Sequence, residues 1–146
     1  MLQTSRRAQE AAPLTDPLGS VVRFYRAIDD HDYPAMLRLL TSDVVWRRQG
    51  IDLKGEAEIM AAMAKRSPTL RVRHILTNIC TSPLSDAELD VSAYLLVVLH
   101  DSQSEPTGPS PLAGIDSIRT ARVRLRQQPD GWRIAHVSSD PPVFSA

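Results

Sequence analysis

Residues 70–100, LRVRHILTNICTSPLSDAELDVSAYLLVVLH, decide the fold class. Two runs rich in β-branched and aliphatic residues, 70–80 and 88–100, flank a segment whose Ser82-Pro83 and Ser85-Asp86 pairs suit a chain reversal. Successive side chains on a strand point to opposite faces, so parity sorts them. In 70–80 the even set holds Leu70, Val72, His74, Leu76, Asn78 and Cys80, which puts His74 on an apolar, inward-pointing face. In 88–100 the even set Ser92, Tyr94, Leu96, Val98 and His100 reads as an apolar face ended by a second histidine. Two more strands, 115–127 and 132–139, follow a Pro- and Ser-rich loop at 101–114 that could serve as a lid; Pro129-Asp130-Gly131 joins them. In 115–127 the even face carries Thr120, Arg122, Arg124 and Arg126, and the odd face, with Ala121, Val123 and Leu125, reads as an outer surface that needs a partner.

The first half has helical periodicity. Leu18, Val21, Val22, Tyr25 and Ile28 follow the spacing of an amphipathic helix, with Pro17 in its first turn. Asp32 suits the N-cap of a second helix bearing Tyr33, Met36, Leu37, Leu39 and Leu40. Val44-Val45-Trp46 is a strand signal, with Ile51–Lys54 as the other arm of a hairpin, and residues 56–66 form a third helix before Pro68. Helices first and consecutive antiparallel strands after give an α+β domain, a curved sheet covered on one face by about three helices. The domain spans 17–146, preceded by a flexible arm over 1–16.

Composition excludes several classes. At 146 residues and 42% hydrophobic, the chain can build one core. Seventeen basic and seventeen acidic residues cancel, which argues against nucleic acid as partner. The single Cys80 rules out an intrachain disulfide, and four scattered histidines show no metal-ligand spacing. No phosphate loop, dinucleotide fingerprint or nucleophile elbow is present, so no cofactor is expected. There is no apolar run long enough for a membrane span and no secretory leader, so the expected location is cytoplasmic.

The chemistry rests on polar residues set in apolar faces. Tyr25 and Asp29 are four residues apart, hence on one helix face, the face that carries Val21, Val22 and Ile28. A carboxylate there could hold the His74 imidazole in one tautomer and leave its other nitrogen as a general base. The plainer readings stand beside this one: His74 as a hydrogen-bonded core residue, Asp29 as part of the helix-end run Asp29-Asp30-His31-Asp32, and the arginine row as a solvated face.

The segments FYRAIDDHDYPAMLRLLTSDVVW, SPTLRVRHILTN and DGWRIAHVSSD, in that order, resemble the SnoaL-like branch of the nuclear transport factor 2-like superfamily, and scytalone dehydratase and its relatives in particular. The resemblance implies a cone of curved antiparallel sheet wrapped by about three helices, with a pocket between them. It implies Asp29, His74 and His100 as catalytic residues, with Tyr25, Trp46, Arg48, Asn78, Tyr94 and Arg122 around the substrate. The family's tyrosine before the aspartate is here Ile28, and its substrate-orienting tyrosine and asparagine fall near Arg48 and Arg122, which would favour an anionic or enolate-forming ligand. The expected activity is a cofactor-independent lyase or isomerase acting on a small hydrophobic oxygenated ring compound, polyketide- or steroid-like. The alternative is a ligand-binding protein, or the structural β-type subunit of an oligomeric oxygenase. A homodimer or homotrimer is expected on either reading.

Overall fold

The computed structural model describes residues 16–146; the arm expected over 1–16 lies outside them except for Asp16. Helix α1 (Pro17–Asp29) starts where Asp16 accepts a hydrogen bond from the Leu18 N–H and Pro17 fills the first turn. Helix α2 (Tyr33–Leu37) is capped by Asp32, whose carboxylate accepts from Ala35 N–H. It is shorter than its apolar pattern suggested, because the Leu39 carbonyl and Leu40 are already engaged by Ile134 of the sheet. Strands β1 (Leu40–Arg48) and β2 (Ile51–Lys54) form the hairpin and α3 (Gly55–Ala64) follows. Then come β3 (Leu70–Ser85), β4 (Glu88–Asp101), β5 (Ser117–Gln128), β6 (Gly131–Ser139) and the short β7 (Phe144–Ser145).

The strands form one sheet in the order β2-β1-β6-β5-β4-β3, with β7 beside the start of β5. It is antiparallel except where β1 runs parallel to β6, a mixed rather than wholly antiparallel sheet. The parallel pair closes the sheet around the helices: α1 packs on β3 and β6, and α3 on β1 and β2.

Direct cross-strand partners share a face, so the register assigns every side chain. His74 pairs with Val97 and Leu76 with Leu95; Val97 in turn pairs with Ser117, and Ala93 with Ala121. The inner face is therefore even-numbered in the first half of β3 but odd-numbered in β4 and β5. Ala121, Val123 and Leu125 are core, at 2%, 2% and 0% exposure, packed with Phe24, Ile28, Met36, Ile59 and Ile134. The expectation that they form an outer surface is overturned: three apolar side chains in alternation were the inward set. Beyond Thr77 the alternation of β3 breaks at a bulge, where Asn78 takes a left-handed backbone (φ 51°).

The outer face carries the arginine row, tied by exposed ion pairs: Arg122 to Asp140, Arg124 to Asp90 and Arg126 to Asp43. It also carries Ile75, Leu96, Ile118 and Phe144, four apolar residues in direct register across β3, β4, β5 and β7.

Candidate active site

The last turn of α1 brings Asp29 against the first half of β3. Its carboxylate accepts two hydrogen bonds from His74, one from the backbone N–H (3.0 Å to Oδ2) and one from the ring at Nδ1 (2.5 Å to Oδ1). Both groups are largely buried, the Asp29 side chain at 4% exposure and that of His74 at 16%. An ionised carboxylate can only accept, so this geometry fixes the proton of the neutral imidazole on Nδ1 and leaves the Nε2 lone pair free.

Tyr25 lies one helical turn before Asp29, and its ring centre is 5.3 Å from that of His74. Burial pushes its phenol well above the usual tyrosine range, so it is a hydrogen-bond donor at any ordinary pH. Neither His74 Nε2 nor Tyr25 Oη has a hydrogen-bond partner among the described residues. Phe24 follows, edge-on to Tyr25 at 5.2 Å and to Trp46 at 5.3 Å. Trp46 is thus on the inner side, half-buried, with the Arg48 guanidinium 5.8 Å above its ring.

Arg48 is half-buried and forms no ion pair among the described residues. Desolvation, and then the positive charge of nearby Arg66, lowers its pKa from the ordinary arginine value. Arg66, which the sequence did not single out, donates to Tyr33 Oη (2.8 Å) and to the carbonyl of Ile28 (3.1 Å), the residue before Asp29.

Four of the expected residues do not join this group. His100 pairs with Arg71, three positions along β4 from Val97, and so faces away from His74. Tyr94 is 51% exposed on the same outer face, opposite Thr77 and Thr120. Arg122 is exposed and held by both oxygens of Asp140 at 2.9 and 2.8 Å, so it does not turn inward. Asn78 sits exposed at the β3 bulge. The 101–114 loop is anchored by Arg71, which donates to the Gly108 carbonyl (2.9 Å) from the face of β3 opposite His74. That anchor does not favour a lid over the dyad.

A recess of about 250 Å³ does exist on the outer face, lined by Cys80, Ser82, Asp90, Ser92, Arg122, Arg124 and others. It lies on the other side of the sheet from His74 Nε2. Among the described residues no group of three or more His, Cys, Asp or Glu could hold a metal ion, and no helix is long and apolar enough to cross a membrane.

Residues 20–138 match the SnoaL-like domain family. No curated protein sequence matches the chain. Among solved structures it is similar to a candidate scytalone dehydratase from Novosphingobium aromaticivorans (TM-score 0.70, 14% identity, covering 88% of this chain and 83% of that one). It is also similar to ActVI-ORFA from Streptomyces coelicolor (TM-score 0.66, 17% identity, 84% and 93% covered). A protein from Catenulispora acidiphila, solved in complex with S-DNPA, has TM-score 0.64 and 20% identity, with 84% and 87% covered. At these identities the likeness is one of fold, a cystatin-like α+β architecture.

Proposed function

From the premise that the chain belongs to the SnoaL-like domain family, we propose that it is a cofactor-independent lyase or isomerase in which His74 is the general base. The observation that carries this reading is the Asp29–His74 pair, two hydrogen bonds onto one buried carboxylate with the far ring nitrogen unpartnered among the described residues. A fold of this kind hosts many functions, and the chemistry is set by the site. The substrate class is a small, hydrophobic, oxygenated ring compound, polyketide- or steroid-like.

With a cyclic β-hydroxyketone the steps balance without any added reagent. Nε2 takes the proton beside the carbonyl, and the electron pair moves onto the carbonyl oxygen. The resulting enolate re-forms the carbonyl and expels the β-hydroxyl, which leaves as water with the proton returned by the imidazolium. Asp29 holds the ring and stabilises its charged form, as buried carboxylates do for histidine bases. Tyr25, kept protonated, is the hydrogen-bond donor beside the ring, and Trp46 and Arg48 contribute to substrate binding. His100, Tyr94, Asn78 and Arg122, placed on or near the outer face, take no part in this step.

The test is a panel of cyclic β-hydroxyketones followed by enone absorbance. Wild type is expected to dehydrate at least one of them, with His74→Ala and Asp29→Asn each slower by about 10²–10⁴-fold. Equal turnover in wild type and His74→Ala would refute the role of His74.

The outer face favours a second reading. A registered apolar row, with Ile75 at 47% and Phe144 at 65% exposure, fits association with another chain as a homodimer, a homotrimer or a β-type subunit. A single-chain mass in solution at micromolar concentration would count against it.

A further inference from the structure

Arg119 is an arginine on the inner face of the sheet. Its cross-strand partner is Leu95, itself paired with Leu76, so its side chain leaves the sheet on the same side as His74. The guanidinium leans back along β5, donating from Nη2 to Ser117 Oγ at 3.4 Å. Ser117 belongs to the register row His74–Val97–Ser117. Strands about 4.8 Å apart put the Cα atoms of His74 and Ser117 roughly 10 Å apart, with Val97 as the floor between them. Arg119 forms no ion pair among the described residues, and its Nε–H is sealed from solvent without an acceptor. A sealed, unused donor on a cation costs free energy that a bound acceptor would recover.

We propose that Arg119 is the oxyanion donor of the site, binding the oxygen on which negative charge develops when His74 takes a proton from the ligand. This rests on the general-base reading of His74 and specifies its ligand, an enolisable ketone whose oxygen lies over Val97 towards β5. Proton removal beside a carbonyl needs such a counter-charge, and fixed donors in a water-poor site supply it with little reorganisation. Arg48 lies on β1, so among the described residues Arg119, one inner-face position along β5 from the His74 row, is the unpaired cation nearest in register to the dyad.

The probes are 4-nitrophenolate, which mimics the enolate oxygen, and 4-nitroanisole, which has the same ring without the charge. Binding is followed by the absorbance of the phenolate and by tryptophan fluorescence. Wild type is expected to prefer the phenolate by about 10- to 100-fold, the range of a charge-assisted hydrogen bond. Arg119→Met should lose that preference and keep its affinity for nitroanisole, and Arg119→Lys should recover part of it. His74→Ala should retain the preference, so a failure of the base assignment leaves this result standing. Equal binding of the two probes by wild type, or binding of neither, overturns the proposal without needing any variant to fold. An unchanged phenolate preference in Arg119→Met also overturns it.

Discussion

Replacing Asp29 with asparagine separates the tautomer argument from everything else in the site. The carboxylate has two acceptor oxygens and meets two donors, the backbone N–H of His74 at 3.0 Å and its ring at Nδ1 at 2.5 Å. An asparagine in the same position has one acceptor and one NH₂ group. If its oxygen stays on the backbone N–H, the NH₂ faces Nδ1, and the imidazole must move its proton to Nε2 to accept. The free lone pair then lies on the wrong nitrogen. If instead the oxygen faces Nδ1, the NH₂ is driven against the backbone N–H, donor to donor. The first arrangement wins because the ring can change tautomer and the strand cannot. Both charge-assisted bonds become neutral ones, a loss of about 1–3 kcal/mol of stability in all. Loss of the base should lower turnover by about 10²–10⁴-fold, or about 2.7–5.4 kcal/mol in the barrier. The assay needs no substrate: long-range proton–nitrogen correlation spectra of the histidine rings, recorded at alkaline pH where imidazole is neutral. Wild-type His74 should show the Nδ1–H form and Asp29→Asn the Nε2–H form. An Nε2–H signal for wild-type His74, or an identical tautomer in both proteins, would refute the reasoning.

Three further expectations concern the frame around the site. Leu125 is fully buried at the centre of the inner face, so Leu125→Ala should cost about 2–5 kcal/mol in urea denaturation, whereas Arg124→Ala on the opposite face should leave the midpoint nearly unchanged. Burial raises the Tyr25 pKa, so this phenol favours the native state fully below the unfolded value near pH 10, and the contribution is lost as pH climbs towards the higher folded value. Tyr25→Phe should therefore flatten the alkaline limb of the stability curve, and the wild-type minus Tyr25→Phe absorbance difference should show phenolate only on unfolding. At the β3 bulge, where Asn78 has φ 51°, Asn78→Val should destabilise by about 1–2 kcal/mol while Asn78→Gly does not, as thermal melts would show.

Much of the frame was legible in the sequence because its signals are local. Pro17 and Asp32 mark helix starts by local chemistry, and Gly50 and Gly55 bracket β2, whereas the Asp16 cap emerged only from the structure. The Asp29–His74 pairing could be anticipated from two local patterns, helical spacing with Tyr25 and strand parity with Val72 and Leu76, together with the family likeness. The inward face of β4 and β5 was not legible by the same means. Leu96 and Val98 made the even face of β4 look apolar enough to be core, yet register with β3 turns Val97 and Leu95 inward. That inversion sent His100 and Tyr94 to the wrong side and hid Arg119, while Arg122 was drawn inward by the family likeness alone. The alternation Ala121, Val123, Leu125 was the available clue: extended backwards by two residues it puts Arg119 on the buried face. Arg66 could not have been found by parity, since its position depends on how α3 ends beside α1.

Catalysis at this site requires His74 Nε2 to take a proton from a ligand held at the inner face. Exchange of α-protons for deuterium measures that step alone, with no leaving group required. Cyclic ketones incubated in D₂O with wild type and with His74→Gln would be followed by proton NMR. Wild type is expected to catalyse exchange, with a loss of about 10²–10⁴-fold in the variant. Exchange at the same rate in both proteins, or at the uncatalysed rate with wild type for ketones that demonstrably bind, would contradict it.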